Sequence, residues 1–132
     1  MMDTGLLIIR VVIGLLMIGH GAQKLFGWFG GYGLKGTGGW MESLGLKPGV
    51  LMAAGAGLTE VVGGLLFGAG LWIEVGAALL IILMIMAIVK VHGANGLWVT
   101  QNGYEYNLVL IAVALGVAFV GAGDISIDAL LK

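Results

Sequence analysis

The chain has 132 residues, 60% of them hydrophobic and only 10% charged, with 26 glycines and a formal net charge of -1. Soluble domains carry about 25% charged residues, so at a mean hydropathy of +1.10 there is too little polar material to cover a water-exposed globule, and the composition is that of a polytopic membrane protein. The charge balance excludes a nucleic-acid binder, which needs a basic face; the absence of cysteine excludes disulfides, thiolate metal sites, iron–sulfur ligation and a quinone reductase built on a cysteine pair.

A spanning helix needs about 20 apolar residues. Four stretches are predicted to meet this: residues 5–26, 49–72, 75–91 and 104–122. The first is preceded by Met1, Met2, Asp3 and Thr4, without positive charge, so it reads as a retained helix and not a signal sequence. The expected fold is all-α: an up-down bundle of four transmembrane helices in a single membrane domain, because backbone groups in lipid must be paired within each helix. Between the first two spans lies a glycine-rich link, residues 27–48, where Thr37 is expected to cap a short interfacial helix carrying Trp40, with Gly45 ending it and Pro48 opening the next span. Second and third spans are joined by a tight turn at Trp72, Ile73 and Glu74.

Trp28, Phe29, Tyr32, Trp40, Trp98, Tyr104 and Tyr106 crowd one membrane face, against Trp72 at the other. Lys24, Lys35, Lys47 and Lys90 favour the crowded face as cytoplasmic, with Lys132 and Arg10 opposite. Small residues at four-residue spacing, Gly64 with Gly68, Ala53 with Gly57, and Ala114, Ala118 and Ala122, are read as internal helix packing, with a homodimer face as the alternative.

Few charges remain inside the spans, and each costs at least about 2.5 kcal/mol at the bilayer centre unless it is partnered or has a purpose. His20, Gln23 and Lys24 share one stripe of the first helix, to which Arg10 nearly returns. Glu60 lies about 16 Å deep by helix rise, with no charge near it on its own helix. Lys90 and His92 close the third span, while Tyr104, Glu105, Tyr106 and Asn107 open the fourth, so all four spans bring polar groups to one half of the bundle, as in a cavity tapering toward Glu60. Against this stand plainer readings: Arg10 and Glu60 as an ion pair that fixes register, His20 donating to a carbonyl, Lys24 and Lys90 snorkelling, Glu105 and Asn107 capping a helix, Trp98 and the tyrosines forming an aromatic belt.

No intrinsic cofactor is evident. His20 and His92 differ in depth, against a bis-histidine haem. His20, His92, Glu60 and Glu105 lack a metal-binding spacing, and the G-x-G patterns follow no strand.

Taken together, His20-Gly21, Gln23-Lys24-Leu25-Phe26-Gly27, Gly30-Gly31, Gly36-Thr37, Leu44-Gly45, Glu60 with Gly63-Gly64, His92-Gly93 and Asn102-Gly103-Tyr104-Glu105-Tyr106-Asn107 resemble the DoxX family over essentially the whole chain. Leu97-Trp98 departs from the paired phenylalanines of many relatives, which bears on substrate preference more than on fold. The resemblance implies a small four-span bacterial or archaeal protein of the plasma membrane, related to the DoxD-type membrane subunit of a thiosulfate:quinone oxidoreductase and to proteins of redox-stress and quinone or catechol responses. It points to a redox and quinone context for Arg10, His20, Gln23, Lys24, Glu60, His92, Glu105 and Asn107.

The leading expectation is a membrane protein that handles a quinone or similar aromatic or anionic molecule and that, if it is an enzyme, is a quinone-linked oxidoreductase or a subunit of one. Glu60 and His20 would exchange protons, Arg10 or Lys24 would stabilise anionic charge, and Gln23, His92, Trp98, Tyr104, Glu105 and Asn107 would line the site. The alternatives are a conduit for protons or small molecules and a non-catalytic anchor for soluble redox enzymes, in which Glu60 is needed only for packing.

Overall fold

Glycines in the first two apolar segments decide how the helices meet. In the computed structural model, which describes residues 1–131, α1 (Met2–Phe26) and α3 (Gly49–Ala69) pack antiparallel, backbone to backbone. A Cβ built on Gly14 would stand 2.6 Å from the carbonyl oxygen of Gly64, and one on Gly21 would stand 2.6 Å from that of Gly57. Gly64 and Gly68 both face Gly14, so this small-residue face is filled within the chain.

A second face of α3 receives α4 (Ile73–Ala87), with Gly63 against Leu79 and Leu80 and Gly76 against the backbone of Phe67. α4 continues through a π turn (Ile88–His92) and a 3₁₀ turn (Gly93–Asn95), giving 23 unbroken helical residues. α5 (Glu105–Val120) then packs along α4. One core joins these helices: Leu6 and Met17 of α1, Phe67 of α3, Ile73, Ala77, Leu80 and Met84 of α4, and Leu110, Ala114 and Val117 of α5. Outside this core the surface is apolar, with Leu15, Leu58, Leu65, Ile82 and Phe119 all more than half exposed. Such a surface suits contact with lipid.

Among the described residues three helices are long and apolar enough to cross a membrane: 2–26, 49–69 and 73–95. The fourth expected span, 104–122, is helical only over Glu105–Val120. Its 16 residues extend about 24 Å at 1.5 Å per residue, short of the ~30 Å hydrocarbon core. Lys132 lies outside the described residues.

The glycine-rich link does contain a helix, α2 (Gly33–Ser43), but Thr37 does not cap it. The helix starts five residues earlier than expected, with Tyr32 and not Thr37 in the cap position, which places Thr37 in its interior with 6% exposure. Gly45 does end it, at a φ of +85° that other residues seldom adopt. α2 crosses the start of α3, and the Glu42 carboxylate accepts the Gly49 N–H at 3.1 Å, supplying the cap that Pro48 has no side chain to provide.

The tail closes the opposite end. Past Gly121 the chain folds back to a single turn, α6 (Ile127–Leu130), and the Asp128 carboxylate accepts the N–H groups of Trp72 at 2.7 Å and Ile73 at 3.0 Å, capping α4 from 55 residues away. Asp128→Ala is therefore expected to cost about 1 kcal/mol, typical for a lost cap, and to speed amide exchange at Trp72 and Ile73 while leaving Gly49 unchanged. Hydrogen exchange in detergent micelles measures both.

Candidate functional site

Side chains on a helix lean toward its N-terminus. With α1 and α3 antiparallel and Gly21 level with Gly57, Lys24 leans inward from one end while Glu60 leans outward to meet it. The two Cα positions differ in level by six residues, about 9 Å at 1.5 Å per residue, and the two side chains together span it. Lys24 Nζ reaches 2.5 Å from Glu60 Oε1, with side-chain exposures of 25% and 6%. At that separation the Lys24 ammonium is the charged partner of Glu60 Oε1.

Glu60 thus pairs with Lys24, which corrects the expectation of an Arg10–Glu60 pair. Arg10, 1% exposed, is bound at the other end of the bundle by the carbonyls of Ala122 and Ile125, the latter at 2.8 Å, with Gly68 at 3.5 Å. Return to the same helical stripe did not make Arg10 and Lys24 neighbours in function: twenty-odd ångströms of helix separate them at about 1.5 Å per residue. Arg10 ties the tail to α1 and α3 and does not enter the cavity beside Glu60.

That cavity has a volume of about 570 Å³ and lies between α2, α3, α4 and the π turn. Its walls are mainly Leu, Ile and Met, with Met41, Met52, Met84 and Met86 giving an adaptable surface. Lys24, Glu60 and Thr59 supply polar groups, Lys90 and His92 add charge and an imidazole, and Trp40 contributes an aromatic wall. Several wall residues, among them Leu51, Met52, Ile82 and Met86, are also outward-facing, so the cavity opens sideways along the apolar surface.

Of the other expected site residues, His92 lines this cavity and faces the Asn102 carbonyl with Nδ1 at 2.9 Å. A carbonyl only accepts, so Nδ1 carries the proton and Nε2 of the neutral ring is left as an acceptor. His20 is not beside Glu60: its Nδ1 lies 3.2 Å from Gln23 Oε1, and Gln23 Nε2 donates to the Phe29 carbonyl at 3.2 Å. Gln23 lines a second cavity, under the glycine-rich link. Trp98, Tyr104, Glu105 and Asn107 line neither cavity. Trp98 is exposed and its carbonyl anchors the turn before α5, Tyr104 starts that helix, Glu105 Oε1 accepts the Val99 N–H at 3.1 Å, and buried Asn107 donates to Met84 Sδ at 3.4 Å. These four shape the loop and the α4–α5 contact.

Sequence reasoning missed Trp40, Met41 and Thr59 as cavity wall, and Asp128 and Asn102 as tertiary anchors. Thr59, the residue before Glu60, was the one with a legible signal; the partners of Asp128 and Asn102 are fixed only by the folded chain.

A family model described as DoxX matches residues 5–93, which includes both members of the Lys24–Glu60 pair and every residue lining the cavity between α2, α3 and α4. No curated protein matches the chain. No solved structure matches it either.

Proposed function

We propose, from the premise that the chain belongs to the DoxX family, that this membrane protein binds a quinone or similar small aromatic molecule in the cavity floored by Lys24 and Glu60. The observation carrying this reading is a charged pair set into an otherwise apolar cavity of about 570 Å³, a volume within the range of small-molecule sites. A lipid-soluble ring reaches it sideways from the bilayer and stacks on Trp40 and the methionines. Glu60 exchanges a proton with a quinone oxygen when that oxygen carries negative charge, and Lys24 balances the charge. His92 Nε2 and Lys90 flank the rim.

In this reading α5 is the fourth span of an up-down bundle in the plasma membrane, its apolar outer face of Leu108, Val109, Leu115 and Phe119 turned to lipid. The quinone reading is favoured over a conduit because Met17 and Phe67, 2% and 0% exposed, are packed between the Lys24–Glu60 pair and Arg10. His20 and Arg10 leave the set of groups expected to act on the ligand.

The test is to purify wild type and Glu60→Gln in mild detergent, identify co-extracted small molecules by mass spectrometry, and titrate decylubiquinone against tryptophan fluorescence. Wild type is expected to carry a stoichiometric aromatic molecule, and Glu60→Gln to lose it and bind decylubiquinone at least about tenfold more weakly, about 1.4 kcal/mol. Bulk lipid alone in wild type, with superimposable titrations, overturns the reading.

A further inference from the structure

Lys24 lines not one cavity but two. The second, about 590 Å³, lies under the glycine-rich link and is bounded by Gln23, Lys24, Tyr32, Thr37, Trp40 and the backbone of Gly30, Gly31 and Gly36. The two share Lys24 and Trp40, yet their walls differ in kind. Aliphatic and methionine side chains make up most of the first, whereas in the second an amide, an ammonium, a hydroxyl, a phenol and peptide groups stand beside the Trp40 ring and other apolar surface.

Glycine sets how closely the link lies over α1 around this second space. A Cβ on Gly31 would stand 2.5 Å from Gln23, and one on Gly36 would stand 2.7 Å from Tyr32. Side chains there would push the link off α1 or fill the space with hydrocarbon. Peptide groups so exposed need water where no protein partner serves them.

We infer that the glycine-rich link roofs a water-filled vestibule opening to the aqueous face, so that the Lys24–Glu60 pair is reached by water and protons through the link and by a lipid-soluble ligand through the opposite cavity. The proton balance is simple. The Lys24 ammonium passes a proton to Glu60 Oε1, 2.5 Å away, and Glu60 gives it to a ligand oxygen that already carries negative charge. A hydronium arriving through the vestibule reprotonates Nζ and leaves water, so one proton crosses and the ammonium–carboxylate pair is restored. Lys90 and His92 are the other titratable groups around the membrane-side cavity. They lie at its rim and do not line the vestibule.

The ligand half of this inference rests on the function proposed above; the vestibule does not. Because the chain contains no cysteine, single thiols report access without background. Gln23→Cys and Thr37→Cys place thiols at two points of the vestibule, Thr59→Cys places one in the membrane-side cavity, and Ser43→Cys is an exposed control. Proteoliposomes are treated with a charged methanethiosulfonate or with a lipid-soluble maleimide, with and without decylubiquinone, and modification is followed by intact mass. At least one vestibule thiol is expected to react with the charged reagent about tenfold or more faster than Thr59→Cys. Decylubiquinone is expected to slow maleimide attack on Thr59→Cys and to leave the vestibule thiols unaffected. If Ser43→Cys reacts while both vestibule thiols stay inert to the charged reagent, the vestibule is overturned, even when quinone protects Thr59→Cys. If the vestibule thiols react and quinone never protects Thr59→Cys, the vestibule stands and the quinone reading falls.

Discussion

Lys24→Met is expected to destabilise the protein by about 3 kcal/mol, because breaking a buried ion pair from one side leaves the other charge uncompensated. Glu60 is the member with no alternative: its side chain is 6% exposed, against 25% for Lys24, and its own helix offers only apolar and small neighbours. Glu60→Leu is expected to be milder, since the freed ammonium can turn toward the space under the link. The double variant Lys24→Met/Glu60→Leu is expected to recover most of the loss, as apolar replacements of whole buried pairs often do. Thermal unfolding of the four proteins in one detergent measures this as a double-mutant cycle. A loss in the double variant equal to the sum of the two single losses would contradict a pairwise interaction between Lys24 and Glu60.

Gly14→Leu is expected to be at least as damaging. The new Cβ would meet the Gly64 carbonyl oxygen at 2.6 Å and the Gly68 Cα at 2.8 Å, both backbone atoms that cannot turn aside. α1 and α3 would have to separate, at an overpacking cost of about 1 to 3 kcal/mol or more, and with them the alignment that brings Lys24 onto Glu60. Gly19→Leu is the matched control. It lies on the same helix with nothing within 4 Å of its Cβ, so it is expected to leave stability unchanged or to raise it slightly through better helix propensity. If both variants unfold at the same temperature, close α1–α3 backbone packing does not hold this fold together. Decylubiquinone titration of Gly14→Leu is expected to show weakened binding as well, although Gly14 does not line the cavity.

Much of this architecture is written in composition and local pattern. Low charge, high hydropathy and long apolar runs identify membrane helices because lipid leaves an unpaired backbone no other recourse. Glycines at helical spacing identify close-packed faces, and an isolated carboxylate deep in a span identifies Glu60 as a group that needs a partner. These follow from the chain itself, since each depends on neighbours three or four residues away. Helix starts were less legible. Thr37 has the chemistry of a cap, but α2 runs past it because its packing across α3 rewards an earlier start.

Which cation meets Glu60 was settled only by the fold. Rise per residue assigns depths to Cα atoms, and by that measure neither Arg10 nor Lys24 is level with Glu60. Antiparallel packing points Lys24 and Glu60 toward each other, while the tail offers Arg10 carbonyls at the far end. The same holds for Asp128 on α4 and His92 on Asn102, contacts joining segments that no local pattern relates. Sequence alone thus determined that this is a helical membrane protein with a charge it must neutralise. Tertiary structure decided where that charge is neutralised and what cavity surrounds it, because side-chain reach and direction, which set such contacts, acquire meaning only once the helices are placed.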